Sequence, residues 1–295
     1  MKNTKRVRIK FDFFDRSGIS AYLEEQAQQG WMLEKIGRGI WKFKSIEPSS
    51  LHFAVTYFPK ASEYDPEPSE EQVLFYEMCE HTGWKLAASW FQMKIFYNEG
   101  ESPIPIQTDP VSEIETIHAA CKKNFLRSYF VFLIISLLLG GSFVLSLFNG
   151  SDIRSNNSAL FQGFAWIMLF ILSSVELVTY FTWLRKAKKA AEEGKFLETP
   201  NTVKFQTSLL IILFVGIAVW LLGVMLDGNT VLISTTLAVL IVYVIIVILI
   251  NGVKNLLKRA NVPAKLNVVI IIICCFVLSF LLIGLVTHVL IGAFR

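Results

Sequence analysis

Two aspartates, Asp12 and Asp15, flank a pair of phenylalanines in the run Phe11-Asp12-Phe13-Phe14-Asp15. Paired carboxylates are what acid–base work or metal binding would use. The run Arg6–Phe14 alternates as a half-buried strand should, however, and strand positions three apart face opposite sides. The two carboxylates are therefore not expected to converge, and Asp15-Arg16-Ser17-Gly18 reads as turn chemistry that opens a helix. Glu176 is a stronger candidate, because it interrupts a long apolar stretch. It lies seven residues before Trp183, about 10 Å below the inner membrane boundary at ~1.5 Å per residue. An intramembrane carboxylate is a functional candidate by default, as a helix–helix contact or an ion site. His288 also falls in an apolar stretch, near the outer end of the last one, so the two lie at different depths and no direct proton relay is expected. His52, His81 and His118 show no ligand spacing, and Cys79, Cys121, Cys274 and Cys275 form no C-x-x-C pair. Gly37-Arg38-Gly39 is too short for a phosphate loop, and no Walker or dinucleotide fingerprint is present. The sequence predicts no enzyme, no metal site and no cofactor.

The elements that position these residues fall into two populations. Of 295 residues, 53% are hydrophobic and only 18% charged, with a mean hydropathy of +0.50; a soluble domain carries about 25% charged residues. Residues 1–127 carry a net charge of −2 and the rest +6. A slightly acidic N-terminal half argues against direct nucleic-acid binding, which wants a basic stripe. Five stretches are long enough to cross a bilayer, which takes roughly 20 apolar residues: 128–148, 159–184, 205–226, 231–250 and 266–291. None contains proline, so each is expected to be an unbroken helix. Lys and Arg beside the spans number thirteen on one side and two on the other. By the positive-inside rule, the N-terminus lies in the cytoplasm and the C-terminus outside the cell membrane. Met1–Lys10 lacks the apolar region of a secretion signal. The lipid bilayer is thus one partner.

Residues 1–98 read as an α+β domain made of two β-α-β-β units. A helix over 19–29 ends at Gly30-Trp31-Met32-Leu33, and Ile40–Lys44 returns as a hairpin partner. The order recurs with a strand at 51–58, a capping box Ser69-x-x-Gln72, a helix through His81, then Gly83-Trp84-Lys85-Leu86 and a strand at 90–97. Glycine just past a helix end supplies the left-handed turn found there. Trp31, Trp41, Trp84 and Trp90 read first as packing residues; with Phe11, Phe13 and Tyr57 they form the candidate ligand or partner surface. Residues 99–127 comprise a linker with Pro103, Pro105 and Pro110, then a second capping box, Ser112-x-x-Glu115, and a juxtamembrane amphipathic helix. Residues 128–295 form the all-α five-helix bundle, and a fragment ending at Thr108 is expected to fold alone.

The FDFFD run, Gly30-Trp31-Met32-Leu33 and Gly83-Trp84 together resemble a Gram-positive bacterial multi-pass membrane family. Its N-terminal cytosolic domain is one of unknown function, and the similarity covers roughly residues 5–110. Members are often encoded beside PadR-like regulators, so the resemblance implies a regulatory role and supplies no catalytic residues. The expected function is a non-enzymatic membrane protein whose cytosolic domain binds a protein or small ligand, as a membrane-tethered sensor or adaptor. A cytosolic transcriptional regulator is the natural protein partner. The alternative is a transporter, or a resistance factor against membrane-active compounds, working through the helices.

Overall fold

The structure is a computed structural model that describes residues 3–8, 11–37, 39–66, 68–149, 157–226 and 230–293. The N-terminal domain is two antiparallel three-stranded sheets of the same topology. The first unit runs β1 (Thr4–Arg8), α1 (Arg16–Gln28), β2 (Trp31–Lys35) and β3 (Ile40–Ser45), with strand order β1-β3-β2. The second runs β4 (His52–Tyr57), α2 (Glu70–His81), β5 (Lys85–Trp90) and β6 (Met93–Asn98), with order β4-β6-β5.

The likeness reaches single residues. Gly30 and Gly83 both adopt the left-handed backbone, at φ 82° and 84°, where a side chain would cost free energy. Three to five residues beyond each glycine the hairpin register slips, between Leu33 and Lys35 in one unit and between Leu86 and Ala88 in the other. Such irregularities bend a strand and sharpen its twist. The run 90–97 does not continue as one strand, because Phe91, at φ 50°, turns the chain between β5 and β6. Strand β1 is also shorter than its alternation predicts. Its described residues are Thr4–Arg8, and residues 11–15 form a turn instead of more strand; this difference decides the site.

The linker gives way to α3 (Pro110–Cys121), which begins earlier than the Ser112 capping box predicts. Asp109 accepts from the amides of Val111 and Ser112, and Pro110 takes the first helical position, where a missing N–H costs nothing. A π-helical turn over Lys122–Leu126 joins α3 to α4 (Arg127–Phe148) without a break. Then follow α5 (Asn157–Glu192), α6 (Val203–Leu226), α7 (Thr230–Arg259) and α8 (Ala264–Ala293). Among the described residues, five helical segments are long and apolar enough to cross a membrane. Two overshoot the predicted spans: α5 continues to Glu192 and α7 to Arg259. At ~1.5 Å per residue α5 is ~54 Å long, against a hydrocarbon core of ~30 Å.

The chain forms two compact units, and the division does not follow residue 127. One comprises Met1–Ala61, Glu70–Ser151 and Gln162–Leu213; the other Ser62–Ser69, Asp152–Phe161 and Phe214–Arg295. In the first, one apolar core runs from Leu23, Phe43 and Ile95 through Ile117 and Cys121 to Tyr180, Trp183 and Ala187. The last part of α5 is therefore core for the α+β domain. In the second, α7 and α8 form a hairpin to which the segment 62–69 is fastened. Lys254 pairs with Glu63 at 3.1 Å, and the buried Asn267 donates to the Tyr64 carbonyl.

Within the first unit α4 and α5 approach through small residues, as membrane helices often do. Gly140 lies against Trp166, and a Cβ on Gly163 would fall 2.3 Å from the Phe143 ring. Gly163→Ala is expected to destabilise the detergent-solubilised protein by about 1–3 kcal/mol through overpacking, with Phe143→Ala in the same chain relieving it. Thermal unfolding of the single and double variants checks this, and a double variant no more stable than Gly163→Ala alone would contradict it.

Candidate functional site

The turn that replaces the end of β1 sets the site. Asp15 ends the turn and caps α1, its Oδ1 accepting from the Gly18 amide at 3.0 Å. The same oxygen accepts from the Thr199 hydroxyl, in the connection between α5 and α6. Asp12 reaches the residue that precedes α6. Its Oδ2 accepts from the Thr202 amide at 2.7 Å, and its Oδ1 accepts from Gln206 Nε2 at 3.0 Å. Both aspartates are buried. Contrary to the strand argument, they converge on one segment, residues 199–206, because a turn does not alternate.

Glu176 completes the cluster. Its Oε1 accepts from Gln206 Nε2 at 2.6 Å and from the Thr202 hydroxyl at 3.1 Å. Glu176 therefore lies level with the first turn of α6 and with the α+β domain. The connection reaches that level because α5 overshoots and the chain folds back along it, with the Trp183 indole N–H donating to the Glu198 carbonyl. Glu176 thus takes its partners from an amide and a hydroxyl instead of a buried cation. Thr202 and Gln206 serve both carboxylates at once, and Asp12 brings a negative charge to the positive end of the α6 dipole.

The aromatic residues of the same turn lock it in place. Phe14 is 3% exposed, with ring centroids 5.2 Å from Tyr180, 5.1 Å from Trp183 and 6.1 Å from Phe125. Phe125 lies in the π-helical turn, a kind of insertion that is frequent at functional sites. Neighbouring Asn124 donates to Gln92, and Lys123 to the Lys60 carbonyl. The Tyr57 hydroxyl donates to the Phe13 carbonyl at 2.7 Å; burial pushes its phenol well above the usual range, so it remains a donor. His118 Nδ1 lies 2.9 Å from the Tyr180 hydroxyl.

The sequence-predicted aromatic surface divides between two clusters, with six of its seven residues in one. Phe11 packs on Tyr22 and Trp41, and Phe13 on Tyr57, Trp90 and Phe125. Trp84 belongs to a separate cluster with Cys79 and Phe96 and donates to the Ile104 carbonyl. Trp41, Tyr57 and Trp84 are buried, while Trp31 carries the Lys5 ammonium 4.5 Å above its ring. Trp84 thus stands apart from the other six, in its own cluster. His288 lies on α8, but its side chain is outside those described. Among the described residues no group of three His, Cys, Asp or Glu could hold a metal ion.

Phe14, Thr199, Thr202 and Gln206 are the site residues that the sequence reading passes over. Gln206 carried a signal: a polar side chain one turn into an apolar helix, four residues from Thr202.

Residues 15–131 match a protein family described as one of unknown function, DUF2812. The match opens at the α1 cap and runs through α3 and the π-helical turn into α4, so the family's unit includes the juxtamembrane helix. No curated protein and no solved structure matches the chain.

Burial raises the Asp12 carboxyl above the usual carboxylate range, with the Asp15 charge adding to it and the Thr202 and Gln206 hydrogen bonds opposing it. A raised folded-state value means that protonation favours the docked turn. Asp12's contribution is complete below the ordinary value of about 3.9 and is lost as pH rises through the folded value. Amide exchange at Thr202 should therefore quicken from pH 4 to pH 7, after correction for intrinsic exchange. Asp12→Asn should flatten that profile, and a profile as steep as wild type would refute the assignment.

Proposed function

We propose that this chain is a non-enzymatic membrane protein in which the α+β domain binds a partner or ligand and the Asp12–Glu176 joint couples that event to the helices. The carrying observation is the joint itself: one turn of the domain places two carboxylates on the segment 199–206 that leads into α6, and a phenylalanine on α5. A passive tether would need only the covalent connection at α3–α4. Buried polar networks also hold one arrangement only while every member is satisfied, which suits a contact that can be made or released.

The domain lies on the same side as the α5–α6 connection, which is one of the Lys/Arg-rich segments. That agrees with the positive-inside reading, so we place the domain in the cytoplasm of a cell and the C-terminus outside. A soluble transcriptional regulator held at the membrane is the partner class that fits a regulatory role.

The test is affinity purification of the full-length protein from gently solubilised native membranes, beside Asp12→Ala and Glu176→Gln, with mass spectrometry as readout. All three chains should fractionate with membranes. At least one partner should change in recovery by threefold or more in both variants. Identical partner sets in the three chains would remove coupling from the reading.

A further inference from the structure

A second feature of the α+β domain remains outside the joint. A groove of about 500 Å³ lies between α1, β4 and the proline-containing segment 103–107, within the roughly 300–1,000 Å³ of small-molecule sites. One wall is apolar and includes Val55, Trp84 and Pro105. Glu113, on the first turn and a half of α3, also lines it. This carboxylate is 2% exposed; Arg16 holds Oε1, while Oε2 has no hydrogen-bond partner among the described residues. A buried acceptor left without a donor is costly, so the groove is incomplete as it stands.

The charges around it decide what would complete it. Glu24 lines the groove and accepts only the Phe53 amide among the bonds its carboxylate makes within the described residues. Arg16 is engaged by Glu113 and lies 4.8 Å from the Phe196 ring centroid. His52 is the remaining titratable side chain of the lining, and two carboxylates against it and one engaged guanidinium leave the groove acidic. An anion would meet Glu24, and the one Lys or Arg among the described lining residues, Arg16, is already engaged by Glu113. A bare metal ion would waste the apolar wall, and the described residues offer it no three-ligand group.

We propose that this groove binds a small organic cation, a primary ammonium carried on an apolar body. The ammonium donates to Glu113 Oε2 and Glu24, and the body lies against Trp84 and Pro105. Three donors on one nitrogen suit two carboxylates and a water. The site sits beside the joint in sequence: Arg16 follows Asp15 directly, and Glu113 belongs to the helix that leads into the π-helical turn. This assignment names a ligand class for the domain and so rests on the functional reading above.

The experiment titrates full-length detergent-solubilised protein with phenethylammonium chloride, followed by calorimetry and by amide exchange at residues 12–18 and 199–206. Phenylethanol and phenylacetate serve as neutral and anionic probes of similar body. The ammonium should bind at least tenfold more tightly than either. Glu113→Gln should abolish that preference. Because Glu113→Gln also alters the Arg16 pair, Ser20→Phe is run beside it, filling the groove from α1 without touching a charge; it should abolish binding of all three probes. Equal affinity for ammonium and alcohol, or ammonium binding that survives both variants, overturns the assignment. Ammonium binding that leaves exchange at the joint unchanged keeps the site and overturns coupling of this ligand to the helices. Absence of binding, with partner capture still altered by Asp12→Ala, overturns the site and keeps the joint.

Discussion

A fragment ending at Thr108 should fail to fold cooperatively. Its first 98 residues contain every strand among the described residues, and by length they make a domain of ordinary size. Yet Ile114 and Ile117 of α3 are 6% and 1% exposed, and Ala120 and Cys121 are fully buried in the same core as Phe43 and Ile95. Burying an isoleucine side chain contributes about 1.5–3 kcal/mol. Losing two removes roughly 3–6 kcal/mol, against a typical net stability of about 5–15 kcal/mol. Truncation also bares Phe14 and Tyr57 and removes Glu113 from Arg16. The fragment should bind a hydrophobic dye and melt over a broad range. Extension to residue 127 should recover part of the transition, since Tyr180 and Trp183 would still be absent. A sharp, cooperative transition for residues 1–108 would show that the shared core is dispensable. The family match points the same way, because it runs through α3 to residue 131 instead of stopping at the linker.

That result bears on what could be read from the sequence. The five spans were legible because each demands a long uncharged apolar run, a signal that survives any tertiary arrangement. The repeat was legible through Gly30-Trp31 and Gly83-Trp84, since a left-handed turn after a helix favours one residue type. What failed was local reasoning at a junction. Alternation in Arg6–Phe14 reads as one strand, but residues 11–14 lie in a turn outside the sheet. A hydrophobic period cannot say where a strand stops when the residues beyond it are buried against another element. The same limit hid the end of α5: Lys186, Lys188 and Lys189 mark it as outside the bilayer, while Leu184, Ala187 and Ala191 are core for a domain whose last strand ends at Asn98. Glu176 was found for its rarity, but its partners Thr202 and Gln206 come from a helix end whose position depended on that overshoot. Asp12 and Asp15 were found and then discounted, because the rule applied to them was a strand rule.

Phe14→Ala should release the joint more completely than any single polar substitution. The ring is 3% exposed and surrounded by Tyr180, Trp183 and Phe125; removing such a side chain costs about 3–5 kcal/mol. Removing the Asp12 carboxylate instead strands the Thr202 and Gln206 donors at roughly 1–3 kcal/mol each, and Glu176 remains to accept from Gln206 and from the Thr202 hydroxyl. The aromatic contact has no such substitute. The loss should appear locally, because the helices on which Phe14 docks are held by their own packing and by the bilayer. Amide exchange over residues 12–18 and 199–206 should quicken by about a hundred- to a few-thousand-fold, which is about 3–5 kcal/mol at ~1.4 kcal/mol per factor of ten. Exchange in the α4 and α5 segments facing Gly140 and Gly163 should stay within about threefold of wild type. Phe14→Leu, which refills much of the volume, should restore most of the protection. If Phe14→Ala leaves Thr202 as protected as in wild type, the hydrogen bonds alone hold the turn; if protection falls throughout α4 and α5 as well, the aromatic cluster is a folding core, not a releasable contact. Only the localised loss is compatible with a domain that engages and disengages while its helices stay in place.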